Sequence, residues 1–244
     1  MHTLSPHSLS QRDAIVLRLL IEQYLETAEP VGSKAITESL LALGVSLSSA
    51  TVRNTLASLD DLGLIEQPHT SAGRVPTREG LTLYVRELMQ VKPLASTDDD
   101  VLKSLGSQQA GDVVTVLRET SKLISQLSHY ASLVVTPLTE DVIVDSPWGV
   151  IDQQESLPLE EVRRRLALLQ EKTQLLALLS GFQNAGKTEV MVGSDCGVVT
   201  SPYVEGQTIL GCVGVVGPTR MDYARVVPIV ESAARYIGEW LEGQ

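Results

Sequence analysis

The chain of 244 residues has only two cysteines, four scattered histidines, no long apolar run and no surplus of positive charge. Cys196 and Cys212 pair only if the fold brings them together, and nothing near them resembles a zinc ligand set. His2, His7, His69 and His129 show no HxxxH spacing, and no Gly-x-Ser-x-Gly elbow occurs, so neither a catalytic constellation nor a cofactor is expected. No apolar run approaches the ~20 residues that a membrane-spanning helix needs. The opening MHTLSPHSLSQRD has no hydrophobic signal core. The expectation is a cytoplasmic protein that is not an enzyme.

The formal net charge of −11 is the wrong sign for an ordinary DNA binder, because such association is driven largely by neutralising phosphates. Its distribution matters more than its sum. Residues 1–92 hold eight Lys plus Arg against ten Asp plus Glu. The acid lies mostly beyond them, at Asp98 to Asp100, Glu140-Asp141 and Glu160-Glu161. In the first part, Lys34, Arg53, Arg74 and Arg78 are candidates to share one face.

What is present is concentrated between Ser48 and Gly80, SSATVRNTLASLDDLGLIEQPHTSAGRVPTREG. On a helical wheel Val52, Leu56 and Leu59 fall in one narrow arc that should face a core. The opposite arc carries Ala50, Arg53, Asn54 and Ala57, with Thr51 and Ser58 on a flank. No bulky apolar side chain lies there, so the backbone can approach base edges. Arg53 suits the two acceptors of guanine, and Asn54 the acceptor and donor of adenine. Ser48 and Ser49 are candidate N-caps, where helix amides also favour phosphate. Taken alone, Arg53 and Asn54 read equally well as solvated helix positions.

The flanks favour the groove. Ser10 to Thr27 is a long amphipathic segment with Ala14, Leu17, Ile21 and Leu25 spaced by three and four. A shorter helix, Lys34 to Leu43, follows with Ser33 as its expected cap, and Gly44 ends it. Downstream, Leu64 to Gln67 reads as a strand, Gly73 allows a reversal, and Arg74-Val75 returns. His69, Thr70, Ser71 and Arg74 are placed to touch phosphate or enter the minor groove. Helix, helix, turn, helix and hairpin is the plan of a winged helix-turn-helix.

At this point the chain resembles a known family. EPVGSKAI at Glu29 to Ile36, SSATVRN at Ser48 to Asn54 and LGLIEQPHTSAGRVPT at Leu62 to Thr77 are similar to the N-terminal domain of the HrcA family, bacterial repressors of class I heat-shock operons. GCVGVVGPTRMDYARV, Gly211 to Val226, is similar to the GxIGVIGPTRMDY block that closes the family's C-terminal domain. The resemblance implies a homodimer on an inverted-repeat operator upstream of chaperone genes, hence nucleoid association, with the GroE chaperonin keeping the repressor active. It also implies a GAF-like C-terminal domain with an inserted dimerising segment. This chain departs from the pattern in its middle, where Thr136 to Pro158 stands in for several strands. It also carries Leu81 where relatives have Tyr.

The expected fold class is α+β: a winged helix-turn-helix (residues 1–91), a linker (92–111) holding Pro93 and the Asp98 to Asp100 run, and a reduced GAF-like α+β domain with long amphipathic helices (112–244). Two stripes are candidates for a dimer seam: Val113, Leu117, Thr120, Ile124, Leu127 and Ala131, and Val162, Leu166, Leu169, Thr173 and Leu176. The second has Arg163 to Arg165 on its expected outer side. Pro228 should remove one backbone bond from the final helix and kink it. GFQNAGKT, Gly181 to Thr188, fits GxxxxGK[ST], but a helical run precedes it and a strand follows. That inverts the context of a phosphate loop, so ATP binding is rejected. GVVGPTR, Gly214 to Arg220, reads as a tight turn, with Arg220 and Asp222 pairing or capping locally. The alternative reading of the chain is a winged-helix module that binds protein rather than an operator.

Overall fold

The structure, a computed structural model, describes residues 9–69, 72–106, 112–135, 141–152, 157–171, 175 and 186–243. It divides into two compact units, residues 1–90 and 91–244.

In the first unit α1 (Gln11–Thr27) begins where the Ser10 hydroxyl accepts from the Asp13 amide, and it buries Val16, Leu17, Leu20 and Ile21. α2 (Ser33–Ala42) adds Ile36 and Leu40, and α3 (Ser49–Asp61) adds Val52, Leu56 and Leu59. Each such aliphatic side chain contributes about 1.5–3 kcal/mol when fully buried. α2 corrects the expected boundary. Its N-cap is the extended Gly32, no side chain closes its start, and Ser33 is its first residue rather than its cap. The Ser33 carbonyl instead accepts from the Thr37 hydroxyl at 2.8 Å.

β1 (Ile65–Glu66) and β2 (Val75–Pro76) form the antiparallel hairpin. α4 (Arg78–Leu83) follows, capped by Thr77, and a single wider turn at Tyr84–Leu88 continues it. Thr77 also donates its hydroxyl to the Gly63 carbonyl at 2.6 Å, tying the helix start to the end of α3. Gly73 is required for a reason other than chain reversal, since its φ is not positive. A Cβ there would lie 2.5 Å from the Val31 backbone. Val31 and Arg74 exchange both backbone hydrogen bonds at 2.9 Å, so only glycine lets the hairpin lie against the α1–α2 connection.

The second unit runs α5 (Ser96–Gly106), α6 (Val113–Ser128), β3 (Ala131–Val135), β4 (Val142–Asp145), a 3-10 turn (Pro147–Val150), α7 (Leu159–Gln170), β5 (Glu189–Val192), β6 (Gly197–Glu205), β7 (Thr208–Gly217) and α8 (Tyr223–Glu242). The linker expected at 92–111 is corrected here. Ser96 to Gly106 is a helix that buries Leu102 fully and packs on α8. Tyr236 donates to Asp99 at 2.9 Å, so the acidic run contributes a docking group. Residues 107–111 lie outside the described residues. The shortened middle, within Thr136 to Pro158, holds β4 and the 3-10 turn.

The sheet is antiparallel throughout, in the order β4-β3-β7-β6-β5. Side-chain alternation sends Leu133, Val135, Val198 and Val216 to one face, where they meet Val150 of the 3-10 turn and Leu169 of α7. Ser132 points the other way and meets Ser121 of α6 at 2.8 Å. With both faces covered, the inner strands β3, β6 and β7 are buried along most of their length, whereas the edge strands β4 and β5 are only half-buried. Tyr203 is fully buried and donates its hydroxyl to the Val135 carbonyl across β7. Cys196 and Cys212 are buried thiols that form no disulfide. Burial pushes the Cys196 thiol up from its ordinary value, with Asp195 adding to the shift.

Both helical stripes turn inward where they are described. Leu117, Thr120 and Ile124 are buried inside their own unit, where α6 packs on β3, β4 and α8. The α7 stripe also turns inward through Leu166 and Leu169, while Thr173 and Leu176 lie outside the described residues. Arg165, expected outside, is buried and paired with Glu161 at 2.7 Å; Arg163 and Arg164 are exposed. Pro228 lies within α8. Asp222 caps α8 by accepting from the Arg225 amide, but Arg220 pairs with Asp152, a residue 68 positions away, and not with Asp222.

Candidate nucleic-acid interface

α3 divides as the wheel requires. Val52, Thr55, Leu56 and Leu59 are buried, while Ser49, Ala50, Arg53, Asn54, Ala57 and Ser58 are exposed, with Thr51 half-buried on the flank. Ser48, not Ser49, is the N-cap: its hydroxyl accepts from the Thr51 amide at 3.1 Å and meets the Thr51 hydroxyl at 2.8 Å. That cap satisfies one open amide and leaves other first-turn amides facing solvent. Among the described residues, Arg53 and Asn54 make no side-chain hydrogen bond or ion pair, so both are available to a ligand.

Arg53 and Leu56 form one wall of a cleft of about 360 Å³, completed by Val31, Gly32, Ser33, Ala72, Gly73 and Arg74. The fold therefore gathers the start of α2, the middle of α3 and the returning arm of the hairpin around one depression. Ser33, Arg53 and Arg74, which lie far apart in sequence, share it. Lys34 is almost fully exposed at 92%, and among the described residues it makes one ion pair, a long one to Glu38 at 3.9 Å. His69 is exposed at the end of the first hairpin arm. Thr70 and Ser71 lie outside the described residues.

Arg74 is the site residue whose setting differs most from expectation. Its side chain is only 22% exposed, and its Nε lies 3.0 Å from Oδ2 of Asp60. The approach is off the N–H axis, so the contact is a charge pair rather than a linear hydrogen bond. Its main chain is bonded to Val31 on both sides. Arg74 is thus anchored inward, and its charge is already matched. Arg78, at the start of α4, is exposed beside Glu79.

Sequence reasoning missed Asp60. It lies in the last turn of α3, and no local pattern in the sequence marks its partner. Gly32 was missed as well, where the stronger capping propensity of Ser33 drew the expectation. Among the described residues no cluster of His, Cys, Asp or Glu has metal-binding geometry. No helix is long and apolar enough to cross a membrane among those residues.

Three helices, a two-stranded wing and an open polar helix face define a protein of the winged helix-turn-helix class with an α+β second domain. Residues 16–84 match the Ribonuclease R winged-helix domain, and residues 139–227 match the HrcA protein C terminal domain. A heat-inducible transcription repressor HrcA of Geobacter sulfurreducens is 27% identical, covering 97% of this chain and 99% of that protein. Another, of Syntrophobacter fumaroxidans, is 26% identical over 96% of this chain and 98% of its own length. A crystal structure of a hypothetical protein shares the fold with a TM-score of 0.76 at 20% identity, over 97% of this chain and 99% of that one. The chain is thus similar to HrcA proteins along nearly its whole length, and its second unit matches the HrcA C-terminal model. The first of these alignments runs over 342 positions against a chain of 244 residues, so this chain lacks a segment that the Geobacter sulfurreducens protein carries.

Proposed function

We propose that the chain is a transcriptional repressor of heat-shock genes that binds an inverted-repeat operator as a homodimer and blocks transcription by occupying the site. The observation that carries the reading is the open face of α3, with Arg53 and Asn54 free of partners among the described residues beside the cleft under the hairpin. The end-to-end similarity to proteins named heat-inducible transcription repressors supports it.

In this reading α3 enters the major groove. Arg53 donates to guanine O6 and N7, and Asn54 pairs with adenine N6 and N7. The amides at the start of α3, with Ser48, Ser49 and Thr51, meet a backbone phosphate, and Ser33 and Lys34 meet the next. The hairpin, with His69, Thr70 and Ser71, lies along the flanking backbone. Two linked modules offset the weak attraction of an acidic chain by raising effective concentration. A two-fold dimer presents half-sites at multiples of about 34–36 Å. The GroE chaperonin is the proposed activating partner, and the nucleoid within the cytoplasm is the proposed location. On heating, the second unit unfolds and the dimer dissolves with it.

A gel shift with the full-length chain tests this, using duplexes from upstream of its own gene and of the chaperonin operon of the same organism. A palindrome common to both is retarded with two chains per site, and a scrambled duplex is released as salt rises. Equal retention of palindrome and scrambled duplex at every salt concentration contradicts the reading. One observation favours a second reading, a protein-docking module: Leu41 and Leu43, at the end of α2, are 58% and 53% exposed. The same gel shift separates the two.

A further inference from the structure

We infer that Asp60 and Arg74 are positioning residues that lock the hairpin to the recognition helix α3, and that Arg74 is not itself a phosphate contact; this rests on the DNA-binding reading above. Asp60 is doubly misplaced on local grounds. A carboxylate in the last turn of a helix opposes the helix dipole. A negative charge close to a surface that meets phosphates also repels them. Neither helix stability nor attraction to DNA accounts for an acid at this position.

The geometry does account for it. Arg74 Nε lies 3.0 Å from Asp60 Oδ2, with the arginine side chain 22% exposed and the aspartate 35%. Arg74 directly follows Gly73, the residue pressed against the Val31 backbone. The two hydrogen bonds between Val31 and Arg74 fix the hairpin to the α1–α2 connection. The Thr77 hydroxyl fixes its far end to Gly63. Neither tie reaches the body of α3. The Asp60–Arg74 pair does, and so sets the offset between the hairpin and the side chains of Arg53 and Asn54, about two turns back along the same helix. A hairpin already held at that offset needs less ordering when DNA arrives, which favours the duplex that fits both helix and hairpin.

The test uses the full-length chain, a duplex it enriches from a random-sequence pool, and an unrelated duplex of equal length. On charge alone, Asp60→Asn tightens binding to both. The lock requires the opposite for the enriched duplex, weaker binding by about three- to fivefold, as for loss of a partly exposed ion pair. Binding to the unrelated duplex is unchanged or tighter. Arg74→Gln weakens the enriched duplex to a similar degree while keeping the wild-type salt slope, whereas loss of a phosphate contact lowers that slope by about 0.9. Asp60→Arg combined with Arg74→Asp restores the wild-type preference between the duplexes. Tighter binding of Asp60→Asn to the enriched duplex, a shallower slope for Arg74→Gln, or no rescue by the exchanged pair overturns the assignment. If the wild-type chain enriches no sequence, the DNA-binding reading itself fails. Amide exchange at Val31 and Arg74 then decides the lock alone: faster exchange in Asp60→Asn upholds it, and unchanged exchange overturns it.

Discussion

α3 and α8 are both amphipathic, yet they treat their polar sides in opposite ways. α8 buries 12 of its 20 residues against the sheet and its neighbouring helices. α3 buries four of 13, and its outer face offers small and polar side chains without neighbours. The contrast extends to the units. In the second, polar groups are turned inward and matched: Ser121 with Ser132, Ser125 with Asp145, Arg220 with Asp152, Tyr203 with the Val135 carbonyl. In the first, Arg53 lines an open cleft and Asn54 lies exposed on the same helix, neither with a side-chain partner among the described residues. The proposed function places the ligand on the open face of the first unit, and the second unit serves as structure in that reading.

The largest expected effect breaks the second unit. Asp152→Ala leaves the Arg220 guanidinium buried without its carboxylate and destabilises that unit by about 3–5 kcal/mol. Urea unfolding followed by amide exchange should show the first unit still protected; simultaneous loss in both would erase the distinction between them. Next is Gly80→Ala, whose Cβ would lie 2.0 Å from the Leu64 carbonyl oxygen. It should destabilise the first unit by roughly 2–3 kcal/mol, read as a lower midpoint for that unit alone. Arg53→Ala is the converse probe. It should weaken operator binding by about 1–3 kcal/mol and shift stability by less than about 0.5 kcal/mol. The smallest is Ser48→Ala, which removes the α3 cap and should lower the stability of the first unit by ~1 kcal/mol. A change in DNA affinity beyond that loss would place Ser48 on the phosphate itself.

Legibility in the sequence followed the range of the interactions. The split of α3 into a buried and an open arc was readable because it depends on one helix and its period. Ser48 as a cap was readable for the same reason. α5 was not, because Asp98 to Asp100 has the composition of a linker and Leu102 is the single fully buried anchor among the residues described there. β4 is four residues long and half-buried at a sheet edge, so it shows neither alternation nor a full apolar run. Arg165 misled because a wheel sets angles but not what packs at each angle. The partners of Arg74 and Arg220 required the fold. Asp60 is 14 residues from Arg74 and Asp152 is 68 from Arg220, and no periodicity links either pair.

The most direct test of the open face of α3 is base preference, measured by selecting duplexes from a random pool with the wild-type chain and with Arg53→Ala. The account predicts that preference vanishes at one base pair in each half-site and survives elsewhere, because a single side chain reads that position. An unchanged preference at every position would contradict it, since Arg53 would then face solvent and not a groove.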